Sequence, residues 1–181
     1  MFYIQIMLLI PCNLKENFTY FKVMKHDHSF SYEFLANWKE LPVADQILVD
    51  RAYEAMESAY APYSNFRVGT AVRLDNDAII TGSNQENSAY PSGLCAERVA
   101  LFHVGANYPK QAVQTMCIVA KGDLIPVKKM LSPCGACRQV MLETENRQNN
   151  KIRIIIVNQD SRTLIINSVI DLLPFGFSAG E

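Results

Sequence analysis

Three cysteines in two groups are the residues of this sequence best suited to chemistry. Cys134 and Cys137 stand three positions apart after Pro133, the spacing that places both sulfurs on one face of a first helical turn. Cys95 begins another predicted helix and supplies a third sulfur. The unsatisfied amides and the positive dipole end of a helix start favour thiolate over thiol, which zinc requires. The pattern therefore predicts a zinc site.

The number of ligands indicates the kind of zinc site. The chain has 5 cysteines and no secretory pattern, which favours metal or reactive chemistry over a disulfide framework. Cys117 falls in a buried strand pattern and Cys12 in the amino-terminal extension, so we expect neither to be a ligand. His103 could be proposed as a fourth ligand, but we expect it to pack or to face solvent. Three protein ligands are typical of catalytic zinc, which keeps a position for water.

Glu97 is the candidate catalytic group beside this site. It lies two positions after Cys95, about 200° round a regular helix, so the two side chains converge only if Cys95 occupies the non-helical cap. A glutamate in a first turn also complements the helix dipole, but near zinc it can move a proton between water and a leaving group. Arg98 and Arg138 are placed to offset the charge of three thiolates, or are ordinary surface arginines, and Gln139 is a further neighbour.

The elements that must position these residues alternate along the chain. Apolar residues recur at three and four positions in a predicted helix over residues 42–59, and a helical apolar stripe marks residues 95–106. Pro133 opens a further predicted helix over residues 134–145, and a short helix is predicted at residues 168–173. Five segments have strand patterns: residues 66–74, 78–82, 113–120, 152–157 and 163–166. This order predicts a three-layer α/β/α fold with a mixed five-stranded sheet, in which both cysteine-bearing segments are crossovers.

Composition restricts the class of protein. The 181 residues, 49% hydrophobic, suit one domain, and a net charge of -1 offers no general attraction to a nucleic-acid backbone. The apolar run at residues 2–11 is about half the ~20 residues that a spanning helix needs, and it lacks the basic leader of a secretory signal. We therefore expect a loosely ordered extension over residues 1–30, a single domain over residues 31–181, a cytoplasmic location, and no membrane or nucleic-acid partner.

The two cysteine motifs together resemble those of a known family. Residues 95–98 (Cys-Ala-Glu-Arg) and 133–139 (Pro-Cys-Gly-Ala-Cys-Arg-Gln) are similar to the motifs of cytidine deaminases of the short-chain, homotetrameric type. Residues 61–69 and 84–91 resemble the family's segments before the fold and around the sugar. The resemblance covers residues 49–178. It implies the cytidine deaminase-like fold and a homotetramer with shared active sites.

The same resemblance implies a reaction and a role for each site residue. Zinc would be held by Cys95, Cys134 and Cys137, and cytidine or 2′-deoxycytidine would be hydrolysed to the uridine nucleoside and ammonia. Glu97 would carry protons to N3 and then to the departing N4 nitrogen of cytosine. The substrate contacts implied are Phe66 and the Ala96 backbone at the base, Asn84 and Glu86 at the ribose 3′-hydroxyl, Tyr90 in the sugar segment, and Phe177 from a neighbouring subunit.

Other functions remain open at this point. A blasticidin-S-type deaminase also has a three-cysteine site and acts on a cytosine nucleoside analogue, although Arg98 and the terminal aromatic residue favour cytidine deaminase. A nucleic-acid deaminase usually presents histidine at the position of Cys95 and needs a strand-binding surface. A non-catalytic zinc-stabilised binding domain predicts a fourth ligand. Glu86 in a sugar pocket would repel a phosphate, which favours a free nucleoside as substrate.

Overall fold

The structure, a computed structural model, describes residues 24–179. The apolar run at residues 2–11, Cys12 and most of the predicted extension lie outside the described residues. Residues 24–32 precede the first strand without regular secondary structure. Within residues 24–179, no helix combines the length and the apolar character needed to cross a membrane.

Six strands form one mixed sheet. In chain order they are β1 (Glu33–Leu35), β2 (Phe66–Leu74), β3 (Ile79–Ser83), β4 (Val113–Gly122), β5 (Arg153–Val157) and β6 (Thr163–Ile166). Their spatial order is β1-β6-β5-β4-β2-β3, with β4 and β5 parallel and the other neighbours antiparallel. The predicted mixed sheet is confirmed, but the prediction of five strands is wrong. The additional strand, β1, has 3 residues, too few to show a period in the sequence.

Three helices cover the two faces of the sheet. They are α1 (Val43–Glu57), α2 (Ala96–Asn107) and α3 (Gly135–Gln148). One apolar core lies between α1 and the sheet, and a second lies between the opposite face and the pair α2 and α3. The helix α3 connects the parallel strands β4 and β5, and α2 crosses from β3 to β4 past β2. Both cysteine-bearing segments are therefore crossovers in a three-layer fold, as predicted.

Two glycines allow helices to approach the sheet at backbone distance. A Cβ at Gly69 of β2 would lie 2.0 Å from the carbonyl oxygen of Ala52 in α1. A Cβ at Gly82 of β3 would lie 2.6 Å from the carbonyl oxygen of Ala96 and 2.7 Å from the amide nitrogen of Ala100 in α2. Because only glycine fits such approaches, Gly82 fixes the first turn of α2 against β3.

Candidate active site

The two cysteine-bearing helices begin next to each other. Cys95 is the N-cap of α2 and Cys134 the N-cap of α3, both with extended backbones, and Cys137 lies in the first turn of α3. The Sγ atoms of Cys95 and Cys134 are 3.9 Å apart, and those of Cys134 and Cys137 are 3.3 Å apart. All three sulfurs lie within 4.8 Å of one another. The fold therefore brings together the three cysteines that the sequence singled out.

The geometry of the sulfurs fits one tetrahedral zinc ion. Zn–S bonds of about 2.3 Å at tetrahedral angles place two sulfurs about 3.8 Å apart, close to the separations observed. Among residues 24–179, no other cysteine, histidine or carboxylate joins the cluster. His103 is exposed, and its ring lies beside Tyr108 with 6.0 Å between centroids. Three ligands leave one coordination position for a reactant, as in catalytic zinc sites.

Arg98 places a positive charge beside the sulfurs. Its Nη2 is 3.9 Å from Cys95 Sγ and 3.3 Å from the carbonyl oxygen of Gly93. A hydrogen bond from the Cys137 thiol, opposed by partial burial and reinforced by Arg98, lowers the pKa of Cys95 to about 5. The Nε of Arg98 is buried and has no hydrogen-bond partner within the described part of the chain. The guanidinium is thus available to offset the negative charge of the cluster.

Glu97 is buried, at 4% exposure, in the first turn of α2. Cys95 sits at the cap with φ -72° and ψ 154°, outside the regular helix, so the separation of about 200° does not apply to this pair. The carboxyl group interacts with the Cys137 thiol and with the charge of Cys95. Burial raises the pKa of Glu97 to about 7, against the effect of its own backbone N–H, and the charge of Cys95 adds to the increase. Glu97 therefore adjoins the sulfurs as a candidate proton carrier.

A cavity of about 410 Å³ opens beside Cys95 and Arg98. Its other walls are the turn before β2 and the loop after β3, which contributes Asn84, Glu86 and Tyr90. Tyr63 also lines the cavity, and its ring meets that of Tyr90 edge to face at 6.3 Å. The volume is within the range of small-molecule sites, about 300–1,000 Å³. The cavity therefore joins the loop after β3 to the start of α2.

Glu86 is held at the wall of this cavity. Its carboxylate accepts hydrogen bonds from the backbone N–H groups of Tyr63 (2.9 Å) and Ser64 (3.3 Å) and from the Ser64 hydroxyl. Burial acts to raise the pKa of Glu86, but these hydrogen bonds outweigh it and hold the pKa below its usual range. The sequence reasoning did not single out Tyr63 and Ser64 as site residues, although the resemblance over residues 61–69 was the available signal.

Asn84 and Phe66 are both built into the sheet. The Asn84 amide accepts a hydrogen bond from Val68 N (2.8 Å) and donates one to the carbonyl oxygen of Phe66 (2.9 Å), so it continues the pairing of β2 beyond the end of β3. Phe66 is 7% exposed, belongs to the core under α2 and α3, and does not line the cavity. Its burial leaves little of the ring accessible from outside this chain.

The side chains of the two residues after Cys137 bind neighbouring segments of the chain. Arg138 donates hydrogen bonds to three oxygens, those of Ser132 (Oγ, 2.6 Å) and Pro133 (O, 2.9 Å) in the preceding loop and of Leu172 (O, 2.8 Å). Gln139 hydrogen-bonds to the backbone of Phe177, whose side chain is 76% exposed. The guanidinium of Arg138, proposed from the sequence to offset the thiolate charge, is engaged by these three oxygens.

The crossover helices of this mixed sheet start with three convergent sulfurs and a buried glutamate. This arrangement defines the class of the zinc-dependent deaminases. The chain belongs to the cytidine and deoxycytidylate deaminase family, because residues 42–150 match the model of that family's zinc-binding region. The prediction of zinc as cofactor is confirmed by this match together with the sulfur cluster.

Relatives and solved structures agree with this assignment. A cytidine deaminase of Halalkalibacterium halodurans is 36% identical over 136 residues, covering 75% of this chain and 96% of the relative. The crystal structure of cytidine deaminase from Burkholderia pseudomallei matches with TM-score 0.60 and 34% identity, over 73% of this chain and 98% of that one. The corresponding structure from Mycobacterium tuberculosis matches with TM-score 0.58 and 30% identity, over 76% and 100%.

Replacing Arg98 by glutamine is expected to weaken zinc binding. The substitution removes the positive charge 3.9 Å from Cys95 Sγ, and losing such a neighbour typically reduces metal affinity about 10- to 100-fold. Competition with a chromogenic chelator measures this affinity. Arg51→Gln, which alters an exposed ion pair on α1, should leave the affinity unchanged. Equal zinc affinity in Arg98→Gln and the native chain would contradict the role of Arg98.

Proposed function

We propose that this protein is a zinc-dependent cytidine deaminase, which converts cytidine and 2′-deoxycytidine with water to uridine and 2′-deoxyuridine and releases ammonia. The main support is the convergence of Cys95, Cys134 and Cys137 beside buried Glu97. Family membership and relatives named cytidine deaminases support the same reaction.

In the proposed mechanism, Glu97 carries the proton. Zinc, when bound by the three thiolates, is a Lewis acid that lowers the pKa of a water molecule. Glu97 would accept one proton of the attacking water as the water oxygen adds to C4 of the base, and would deliver that proton to N3. It would then take the remaining proton from the hydroxyl added at C4 and give it to the amino group, so that the C4 carbonyl forms as the C4–N4 bond breaks and ammonia leaves. Arg98 offsets the thiolate charge, and the Ala96 backbone orients the base.

The sugar is proposed to bind at the opposite end of the cavity. Asn84 and Glu86 line this end, and the amide oxygen of Asn84 has a second lone pair beyond its bond to Val68. The Glu86 carboxylate, with its lowered pKa, is an acceptor for ribose hydroxyls. Tyr90 adds an aromatic surface to the same wall.

A free nucleoside should be strongly preferred over its 5′-monophosphate. A phosphate would place two negative charges near the Glu86 carboxylate, and such like-charge pairs cost several kcal/mol, so we expect kcat/KM for CMP to be at least about 100-fold below that for cytidine. In Glu86→Gln the preference for cytidine over CMP, measured as the ratio of their kcat/KM values, should become smaller. Glu54→Gln, on the exposed face of α1, should leave this ratio unchanged. An unchanged ratio in Glu86→Gln would mean that Glu86 does not select the substrate.

The assembly is proposed to be a homotetramer with shared active sites. Three exposed aromatic side chains support contacts with further copies: Phe177 (76%), Tyr90 (78%) and Phe102 (50%). We further propose that Phe177 of one subunit completes the site of another. The free thiols, together with the thiolate metal site, suit a reducing compartment such as the cytoplasm, and the product class suits pyrimidine salvage.

Turnover of cytidine by the purified, zinc-loaded protein tests the proposal most directly. We expect loss of the cytidine absorbance with equimolar release of uridine and ammonia. Absence of turnover, with zinc present at one ion per chain, would refute the cytidine deaminase proposal. Light scattering on the same sample tests the tetramer, and a monomer that turns over cytidine at full rate would refute shared sites.

A further inference from the structure

The carboxyl-terminal tail is folded back onto α3. After the short helix Val169–Leu172, the N–H of Gly176 donates a hydrogen bond to the carbonyl oxygen of Leu173 at 3.1 Å, closing a turn in which Phe175 has φ 60°. A Cβ on Gly176 would lie 2.2 Å from Cδ2 of Leu142 in α3. The tail therefore packs Gly176 against the side chain of Leu142 in α3.

One side chain of α3 holds both backbone polar groups of Phe177. Gln139 Nε2 donates a hydrogen bond to the carbonyl oxygen of Phe177 at 2.7 Å, and Gln139 Oε1 accepts one from its N–H at 3.1 Å. The side-chain amide thus pairs with the tail as the backbone of an adjacent strand would. This paired contact fixes the position and the direction of the tail, while the Phe177 ring remains 76% exposed.

The start of the tail is held by the preceding residue of α3. Arg138 donates a hydrogen bond to the carbonyl oxygen of Leu172 at 2.8 Å. Cys137, Arg138 and Gln139 are successive residues, and a helix turns each of them about 100° from the one before. One turn of α3 therefore contacts the sulfur cluster, the entry to the tail and the Phe177 backbone on three different sides.

We propose that Gln139 is a positioning residue, which fixes the Phe177 backbone so that its exposed ring is presented in one orientation to another copy of this chain. The inference rests on the proposed sharing of active sites. A ring at the end of an unrestrained tail would lose conformational freedom on docking, and a prior constraint removes that cost. Gln139 then acts through Phe177 on substrate binding, without contacting the substrate or the metal.

The test replaces Gln139 by methionine, which keeps the side-chain length and loses both hydrogen bonds. We expect KM for cytidine to rise about ten-fold with kcat within about two-fold, since two hydrogen bonds of ordinary strength are removed. Gln139→Glu retains the acceptor for the Phe177 N–H and should give a smaller increase. Phe177→Ala should raise KM at least as much as Gln139→Met does. The double variant Gln139→Met/Phe177→Ala should have a KM no higher than that of Phe177→Ala alone.

The chain offers a matched control on the same helix. Gln148 makes the same two-way contact with one residue at the start of β4, accepting a hydrogen bond from Val113 N (2.9 Å) and donating one to Val113 O (2.9 Å). Gln148→Met should lower the melting temperature and leave KM unchanged. Additive effects in the double variant, a KM increase in Gln148→Met, or loss of zinc from Gln139→Met would each overturn the proposal.

Hydrogen exchange of the tail provides a readout that needs no turnover. The peptide containing Phe177 should be protected in the native chain and should exchange faster in Gln139→Met, with no change elsewhere in α3. If the native chain does not turn over cytidine but this difference is found, the proposed function fails and the positioning contact stands. If the tail exchanges equally in both proteins, the role of Gln139 is refuted whatever the substrate.

Discussion

Replacement of Glu97 by glutamine is expected to give a folded, zinc-loaded protein that deaminates cytidine at least about 1,000-fold more slowly, within the range found when a general acid–base group is lost. Glutamine has nearly the same shape but cannot accept the proton of the attacking water or return it to the leaving group. The Glu97 side chain is buried, at 4% exposure, beside the sulfurs. Bulk water therefore has little access to the site and is poorly placed to take over the proton transfer. Single-turnover kinetics and metal analysis of the same preparation measure the effect.

Glu145 provides the control for this experiment, because it is also a buried glutamate but serves the fold. Its carboxylate accepts hydrogen bonds from Ile152 N (2.8 Å), Val169 N (2.9 Å) and Ser168 Oγ (2.6 Å). Glu145→Gln should therefore lower the free energy of unfolding by about 1–3 kcal/mol and leave kcat nearly unchanged. More than a few per cent of native activity in Glu97→Gln would refute the proposed proton carrier.

Removal of one sulfur from the cluster is expected to abolish both metal binding and turnover. Cys137→Ala leaves two sulfurs at the starts of α2 and α3, and a two-ligand site does not retain zinc against a moderate chelator. We expect less than about 0.1 zinc per chain and at least about 1,000-fold lower activity. The melting temperature should also fall, because bound zinc joins two helix starts that are otherwise separate in the chain.

Cys117 is the matched control for this loss. It is fully buried in β4, is absent from the cluster, and burial raises the pKa of its thiol. Cys117→Ala should keep one zinc per chain and native kcat, with a modest loss of stability from the smaller side chain. Full zinc content in Cys137→Ala would show that the cluster is not the metal site.

The sequence was sufficient for most of the architecture and for the metal cluster. Residues 116–120 of β4 and 154–157 of β5 are apolar because both faces of these strands are covered, and this apolar pattern predicted the interior of the sheet. The spacing of Cys134 and Cys137 is local, so their common face follows from helix geometry alone. Cys95 was placed with them because helix starts meet at one edge of such a sheet.

Contacts made by side chains across the fold could not be predicted in the same way. Position next to Cys137 in the sequence left open whether Arg138 offsets the thiolate charge or lies at the surface, and it gave no sign of the hydrogen bonds of Arg138 and Gln139 to Leu172 and Phe177. Phe66 could be placed at the start of a strand, but its burial depends on the packing of α2 and α3. The short edge strand β1 depends on pairing with β6, which leaves no local periodic signal.

The contact between Gly82 and α2 sets a fixed length inside the protein. Two residues beyond Gly82 the chain reaches Asn84 at the proposed sugar end, and α2 begins with the reactive end at Cys95 and Glu97. Because backbone meets backbone at this contact, the spacing between the proposed sugar end and the start of α2 is constrained. In the proposed binding mode, a whole nucleoside would reach both ends at once, whereas a free base would reach only one.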